Sequence, residues 1–251
     1  MISTILIPTC TSDLSAVNKC ILNILNDSTL PRNGTVEILV ILDRVELSSA
    51  LREEGIDIVY QSSGLPGITF ALNLGLAVSK GQFIFRIDDD DEWLEGRYTE
   101  QLNLLITGYD VVVGRSIYST GKAAYIPSSI HDGVKSVTWY DAFWSPALHP
   151  AVAYRKDKII AAGGYAFGFN AQDLELWHRL IFLNRCRWVV TRKAICRIQV
   201  SQESASRRKT TFGIPNTLNR LVLFIRMLFL TKNIKFLPPC IWLFIKFARG
   251  V

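Results

Sequence analysis

Three apolar runs constrain this chain more than any other feature. They are Thr4-Ile5-Leu6-Ile7-Pro8, Ile38-Leu39-Val40-Ile41-Leu42 after Glu37, and Phe83-Ile84-Phe85 after the turn signal Lys80-Gly81. The first is apolar without alternation, as a parallel strand covered on both faces would be. Residues 13–26 lie between the first two runs. They predict a helix capped by Asp13, with Leu14, Val17, Ile21, Ile24 and Leu25 on its apolar face. A helix near residues 48–54, a strand at 56–60 and a helix at 68–79 complete the spacing. This β-α-β-α-β alternation predicts an α/β fold with a doubly wound, mostly parallel sheet. Ligands of such sheets lie beyond the carboxyl ends of the strands. Pro8, Thr9, Asp43 and the run Asp88-Asp89-Asp90-Asp91 occupy those ends, so they should meet in one crevice.

The acidic run is the costly part. Four adjacent carboxylates at the end of a buried strand repel one another and raise one another's pKa. A hard divalent cation removes that cost, and Mg²⁺ or Mn²⁺ favours oxygen ligands, with phosphate oxygens completing the shell. A strand followed by Asp-x-Asp is therefore the layout of a metal site holding a diphosphate. By themselves these residues also fit a solvated acidic turn or a cap on the next helix. They do not fit a calcium loop, which needs alternate ligands around a central glycine.

Further along, a helix is expected at 97–106 and a strand at 110–115. Residues 119–146 mix turn formers with Trp139, Tyr140, Phe143 and Trp144. That long excursion reads as part of an acceptor pocket or as an aromatic mini-core. A strand at 151–154 leads into a helix at 155–162, stopped by Gly163-Gly164. Asp173 opens a helix whose apolar face is Leu176, Trp177, Leu180, Ile181 and Leu183. Two strands near 188–190 and 194–198 follow, then a polar loop over 201–213. Apolar segments at 216–230 and 240–249 are separated by Pro238-Pro239.

The length of 251 residues suits one large α/β domain with an appendage. The net charge is +6, yet residues 207–251 hold nine basic and no acidic residues. The basic residues alternate with Leu, Ile and Phe, which suits an anionic membrane surface better than nucleic acid. The predicted tail lies on that surface as interfacial helices, with Arg220, Arg226, Lys232, Lys235, Lys246 and Arg249 meeting head groups. Packing on the body or on a partner subunit is the alternative. No run approaches the roughly 18 apolar residues of a spanning helix. No basic stretch followed by an apolar one opens the chain, so no signal peptide is expected. Five cysteines without a C-x-x-C pair suit reduced thiols in the cytosol.

Taken in order, these landmarks resemble glycosyltransferase family 2, inverting enzymes of the GT-A fold, and most of all bacterial members that build lipopolysaccharide and capsular polysaccharide. The resemblance spans residues 2–213. It is carried by the strand ending at Asp43, Gly64-Leu65, Ala71-Leu72-Asn73-x-Gly75, Lys80-Gly81 and Arg86-Ile87-Asp88-x-Asp90-Asp91. Arg97 and Gln101 continue it, with His149-Pro150, Arg155-Lys156 and Gly163-Gly164-Tyr165. Gln172-Asp173-x-Glu175-Leu176-Trp177-x-Arg179 and Ser206-Arg207-Arg208 complete it. Leu42 and Asp89 depart from the family pattern, Asp89 by placing a charge where a small residue is usual.

The resemblance implies a GT-A catalytic domain over residues 1–213 and a membrane-associating helical tail over 214–251. Residues 1–116 would bind the nucleotide-sugar and 117–213 the acceptor. Pro8, Thr9, Asp43, Asn73 and Asp88 would contact the donor, a UDP-sugar in the first instance. Asp43 also fits a cap on the next helix and Asn73 an inward helix amide satisfied by backbone, while Arg86 would pair with the acidic run or with substrate. Asp88 and Asp90 would hold Mn²⁺ or Mg²⁺, with Asp91 orienting the loop or touching metal. Arg207 and Arg208 would clamp the diphosphate or meet the membrane. Asp173 would be the base that inversion requires, although an Asp before an apolar helical run is also a helix cap. Glu175 is the substitute base. His149 and Trp177 would line the acceptor site. The implied reaction moves a hexosyl or hexosaminyl group onto a lipid-linked or oligosaccharide acceptor at the cytoplasmic membrane face. Two rivals differ in class. A sugar-phosphate nucleotidyltransferase would need a glycine-rich loop after the first strand, which Pro8-Thr9-Cys10-Thr11 does not supply. A catalytically inactive membrane scaffold would not need Asp-x-Asp or Asp173.

Overall fold

Strands β1 (Ser3–Thr9) and β2 (Val36–Leu42) are buried at every position, because helices cover both faces of their sheet. The structure is a computed structural model that describes residues 2–10, 14–43, 52–123, 147–166, 172–200, 210–211 and 214–248. The other strands of the sheet are β3 (Asp57–Ser62), β4 (Phe83–Arg86), β5 (Glu92–Trp93), β6 (Val111–Tyr118), β7 (Val152–Arg155) and β8 (Trp188–Ile198). Their order across the sheet is β3-β2-β1-β4-β7-β6-β8-β5. β3, β2, β1 and β4 are mutually parallel. β7 then runs antiparallel between β4 and β6, β8 is parallel to β6, and β5 is antiparallel to β8. The expected parallel sheet is thus intact in the half that carries the acidic run, and mixed beyond it.

Alternation along each strand divides the core. Ile5, Ile7, Ile38, Val40, Phe83 and Phe85 pack with Val17, Ile21 and Ile24 of α1 (Leu14–Leu25) and with Tyr98 and Leu105 of α3 (Arg97–Ile106). Leu6, Leu39, Ile41 and Ile84 point the other way, onto Ala71, Leu72 and Leu76 of α2 (Ile68–Val78). Leu176, Trp177 and Leu180 share that second face. They come from α5 (Gln172–His178) and the π-helical turn Arg179–Leu183; the short α4 (Lys156–Ala161) precedes them. α2 lies close enough to β1 that a Cβ on Gly75 would sit 2.4 Å from Leu6 Cδ1.

Three expectations are corrected. Residues 52–54 are not helical: Glu53 bridges Ile56 around a left-handed Gly55, while residues 44–51 lie outside the described set. The two strands expected near 188 and 195 are one, β8. The polar Thr-Arg-Lys interruption is absorbed by an irregular register opposite Arg115, where Thr191 Oγ1 accepts the Arg115 N–H at 2.8 Å. Pro238 and Pro239 do not separate helices but lie in the first turn of α7 (Leu237–Ala248), where no intrahelical N–H bond is lost.

The C-terminal helices also join the body. α6 (Asn216–Thr231) and α7 enclose Leu221, Leu223, Phe224, Met227, Phe236 and Leu243 together with Leu174 of α5. The His178 ring lies 5.2 Å from Phe224 and 5.7 Å from Phe236. Full burial of side chains such as Met227 and Phe236 contributes roughly 1.5–3 kcal/mol each, so one face of the tail is anchored. A short ribbon, β9 (Thr210–Thr211) with β10 (Ile214–Pro215), leads into α6.

Candidate active site

The parallel half of the sheet delivers β1, β2 and β4 to a common edge. Thr9 pairs with Leu42 and Leu6 with Arg86, so the chain leaves β4 beside the end of β1. The Asp91 N–H then bonds the Asp88 carbonyl at 3.3 Å, turning the acidic run back on itself. The turn sorts its four carboxylates. Asp88, Asp90 and Asp91 each offer an oxygen within 4.8 Å of the others. Asp89 points toward the end of β1 and accepts the Thr9 hydroxyl. The Asp91 carboxylate is buried and accepts the Gln199 N–H at 2.8 Å, beyond the end of β8.

Charge in this turn is under strain. Burial first, then the neighbouring aspartates, raise the pKa of Asp89 and Asp90, and push Asp91 up to about 8. The buried Arg86 answers part of the charge through an ion pair with Asp88. Burial is the largest influence and works against that guanidinium, but Asp88, Tyr165 and Tyr154 together raise its pKa and keep it charged. Arg86 therefore belongs to the acidic group, one of the two roles open to it from sequence. Three hard oxygen donors converging where protonation is favoured fit a divalent cation of the Mg²⁺ or Mn²⁺ type. Burial and the aspartates push the Cys20 thiol up, and it donates to the Asp88 carbonyl at 3.6 Å.

Asp43 joins the end of β1 to the start of α2. Its N–H bonds the Thr9 carbonyl at 2.8 Å, and its Oδ2 accepts the Gly67 N–H at 2.9 Å, at the start of α2. Pro8 and Thr9 are buried at the same edge. Asn73 is occupied otherwise. Its Nδ2 donates to the Tyr165 carbonyl and its Oδ1 accepts the Tyr165 N–H, both at 2.9 Å. The amide thus ties α2 to the glycine turn before Tyr165, the backbone-satisfied role that sequence left open.

Asp173 sits in the first turn of α5, partly buried. Burial raises its pKa, opposed by backbone N–H groups of Leu174 and of Asp173 itself and by the charge of Arg220, while Asp88 adds to the rise. Asp173 is therefore near enough to the acidic turn to feel the charge of Asp88. His149 Nε2 lies 2.9 Å from the Tyr165 hydroxyl, and burial holds the ring neutral. Trp177 has no exposed surface; it packs against Trp188 at 5.5 Å and touches His149 from behind. Its expected contact with an acceptor is corrected to support of His149. Glu175 is corrected as well: its carboxylate is fully buried and bonded to Arg179 and Arg226, so it cannot serve as the substitute base. Arg207, Arg208 and the aromatics Trp139, Tyr140, Phe143 and Trp144 lie outside the described residues.

Asp27 was missed. Beyond the end of α1, its carboxylate accepts Trp93 Nε1 at 2.7 Å and the N–H groups of Thr29, Gly96 and Tyr98 at 2.9–3.2 Å. These bonds hold its pKa down against the burial that raises it. Asp27 and Asn23, which accepts the Trp93 N–H at 2.6 Å, fix the chain that leaves the acidic turn. The only sequence signal was an Asp-Ser-Thr after a helix. The Arg97–Gln101 pair is explained too. Arg97 Nη2 donates to the carbonyls of Arg86 and Pro150, and Gln101 Nε2 to those of Val112 and Ala151. Together they satisfy backbone where β4 and β7 diverge.

Comparison with known proteins follows the same outline. The family model described as Glycosyl transferase family 2 matches residues 4–171. The O-antigen biosynthesis glycosyltransferase WbnJ of Escherichia coli is 30% identical over 125 residues, 48% of each chain. An E. coli UDP-Gal:alpha-D-GlcNAc-diphosphoundecaprenol beta-1,3-galactosyltransferase is 28% identical over 150 residues, 57% of this chain and 52% of that one. The chain spans about half the length of these relatives. Among solved structures, S. aureus TarS 1-349 in complex with UDP-GlcNAc superposes with a TM-score of 0.70 at 14% identity, covering 91% of this chain and 67% of that one. The mannosyltransferase PcManGT from Pyrobaculum calidifontis, in complex with GDP-Man and Mn2+, gives 0.64 at 13%, covering 89% and 63%. At such identities the likeness is one of fold.

Proposed function

Given that the chain belongs to glycosyl transferase family 2, we propose that it is a metal-dependent, inverting glycosyltransferase of cell-surface polysaccharide synthesis. It takes a sugar from a UDP-sugar and adds it to a hydroxyl of a lipid-linked glycan. The observation that carries this reading is the convergence of Asp88, Asp90 and Asp91 beyond the end of β4, with Asp173 near enough to feel the charge of Asp88. The relatives supply the substrate class: one is named for UDP-Gal and a diphosphoundecaprenol-linked acceptor, and one structural neighbour holds UDP-GlcNAc.

Asp88 and Asp90 would hold the cation, with Asp91 behind them. Bound there, the cation supplies electrostatic stabilisation to the diphosphate as negative charge develops. Asp43, Pro8 and Thr9 receive the nucleoside. Asp173 accepts the proton of the acceptor hydroxyl while that oxygen bonds to the anomeric carbon. The bond from that carbon to the β-phosphate oxygen breaks, and the nucleoside diphosphate leaves with the electron pair. Attack opposite the leaving group inverts the centre. The raised pKa of Asp173 makes it a better base than an exposed carboxylate.

The exposed face of the tail suits the membrane on the cytoplasmic side, where a lipid-linked acceptor lies. Phe229, Ile234, Trp242 and Phe244 are 55–75% exposed beside Lys232, Lys235 and Lys246. No helix among the described residues is long and apolar enough to cross a membrane, so contact would be interfacial. The test is a thermal-shift screen of UDP-, dTDP- and GDP-sugars, each with Mn²⁺ and with EDTA. A ligand at 100 times its Kd stabilises by about 2.7 kcal/mol. A Mn²⁺-dependent shift with UDP-sugars is expected; no shift with any donor in folded protein would overturn the reading.

A further inference from the structure

Glu175 holds a fully buried carboxylate two residues beyond Asp173, and two arginines from different parts of the chain meet it. Arg179 approaches from one helical turn on. Its Nε is 2.9 Å from both carboxylate oxygens, and its Nη2 is 2.6 Å from Oε2. Arg226 reaches Oε1 from α6. It was expected to face lipid head groups, yet it turns inward.

Arg179 has a second set of partners. Its guanidinium donates to the carbonyl of Ala162 and, at 2.6 Å, to that of Gly164. Those carbonyls flank the Gly163-Gly164 turn, left-handed at both residues with φ of 90° and 68°. The turn delivers Tyr165, whose backbone is gripped by Asn73 and whose hydroxyl meets His149. A Cβ on Gly164 would lie 2.6 Å from Asn73 Oδ1, so the turn has little room to shift. One chain of polar contacts therefore runs from α6 through Glu175 and Arg179 to Tyr165 and His149, and Asp173 shares its helix with Glu175.

A buried carboxylate needs each oxygen satisfied. Among the described residues, Oε1 without Arg226 retains only the Arg179 Nε–H that it shares with Oε2. The carboxylate would then turn toward Arg179 and draw that guanidinium off the glycine turn. We propose that Arg226 is a positioning residue: seated on Glu175, it holds α5 and the Gly163-Gly164 turn so that Asp173 and His149 face the acceptor together. The proposal rests on the reading of Asp173 as the base.

The test compares Arg226→Met, Arg226→Gln and Arg226→Lys in the full chain. UDP release from UDP-galactose and UDP-GlcNAc is followed with Mn²⁺, with and without an α-D-GlcNAc-diphospholipid acceptor. Misplaced groups of this kind cost about 10- to 100-fold in turnover. We expect a kcat loss of that size in the Met and Gln variants, with KM for the donor within about twofold and partial recovery in Arg226→Lys. The ring NMR signal of His149, assigned with His149→Gln, should move in Arg226→Met. Wild-type kcat and an unmoved His149 signal, in either the Met or the Gln variant that folds, would overturn the proposal. So would loss of thermal stability with kcat unchanged. A wild-type protein that turns over no donor would overturn the reading of Asp173 instead; it is told apart because the His149 signal still moves.

Discussion

The Thr9 hydroxyl donates to the Asp89 carboxylate, joining the end of β1 to the acidic turn. Asp89 is thereby drawn away from the oxygens of Asp88, Asp90 and Asp91. The four acids should then separate by substitution. Asp89→Asn is expected to keep UDP release within about threefold. Asp90→Asn should lose at least about 10²-fold, the scale of removing one preorganised stabilising group. Steady-state UDP release in Mn²⁺ decides; equal losses at both positions would refute the sorting.

Metal-free protein should lose stability as pH rises. Asp91 has its pKa raised from 3.8 to about 8, and Asp89, Asp90 and Asp173 shift the same way. The folded state binds protons that the unfolded state has released. Their contribution is complete below 3.8 and, for Asp91, gone once pH passes about 8. Tm in EDTA should therefore fall between about pH 5 and 8.5, and Mn²⁺ should restore it most at the upper end. A flat profile in EDTA would contradict the strain in the turn.

Asp173→Asn should remove about 10²–10⁴-fold of turnover, the usual worth of a positioned base. The UDP-induced thermal shift should survive, because Asp43 and the acidic turn are untouched. In wild type, the acidic limb of kcat should lie above the 3.8 of an ordinary aspartate. Loss of UDP binding in Asp173→Asn would place the residue on the donor side instead.

Asp27→Ala should be among the most destabilising changes outside the core. It strips partners from Trp93 Nε1 and from the N–H groups of Thr29, Gly96 and Tyr98. Each buried donor left unsatisfied costs about 1–3 kcal/mol, so a loss of roughly 3 kcal/mol or more is expected by urea unfolding. Asp27→Asn, which keeps the acceptor oxygen, should lose less.

Phe229→Ser with Trp242→Ser should weaken sedimentation with anionic vesicles and leave Tm within a few degrees. Both side chains are more than half exposed, at 75% and 55%. A large fall in Tm with unchanged vesicle binding would mean that this face supports the fold rather than a membrane.

Local order was readable because one physical pattern wrote it. Continuous apolar runs of Ile, Leu, Val and Phe can be satisfied only between two helical layers, so β1, β2 and β4 were legible, and so were the carboxylates at their ends. Arg97–Ile106 was legible to the residue. Polar side chains were harder to read, because a carboxylate or guanidinium takes whichever partner the fold brings. Asp27 gave little pattern beyond its local turn with Thr29, since Trp93, Gly96 and Tyr98 lie 66–71 residues away.

By itself the sequence determined the α/β layering, the gathering of Thr9, Asp43 and the acidic run at one sheet edge and the oxygen-rich composition of the acidic turn, because apolar periodicity and adjacent like charges act over a few residues. Only the tertiary structure decided the antiparallel placement of β7, the split of Asp89 from its neighbours, the burial of Glu175 and Trp177, and the inward turn of Arg226. Each of these depends on which distant group arrives within hydrogen-bond reach, and that is set by the packing of helices and strands on one another.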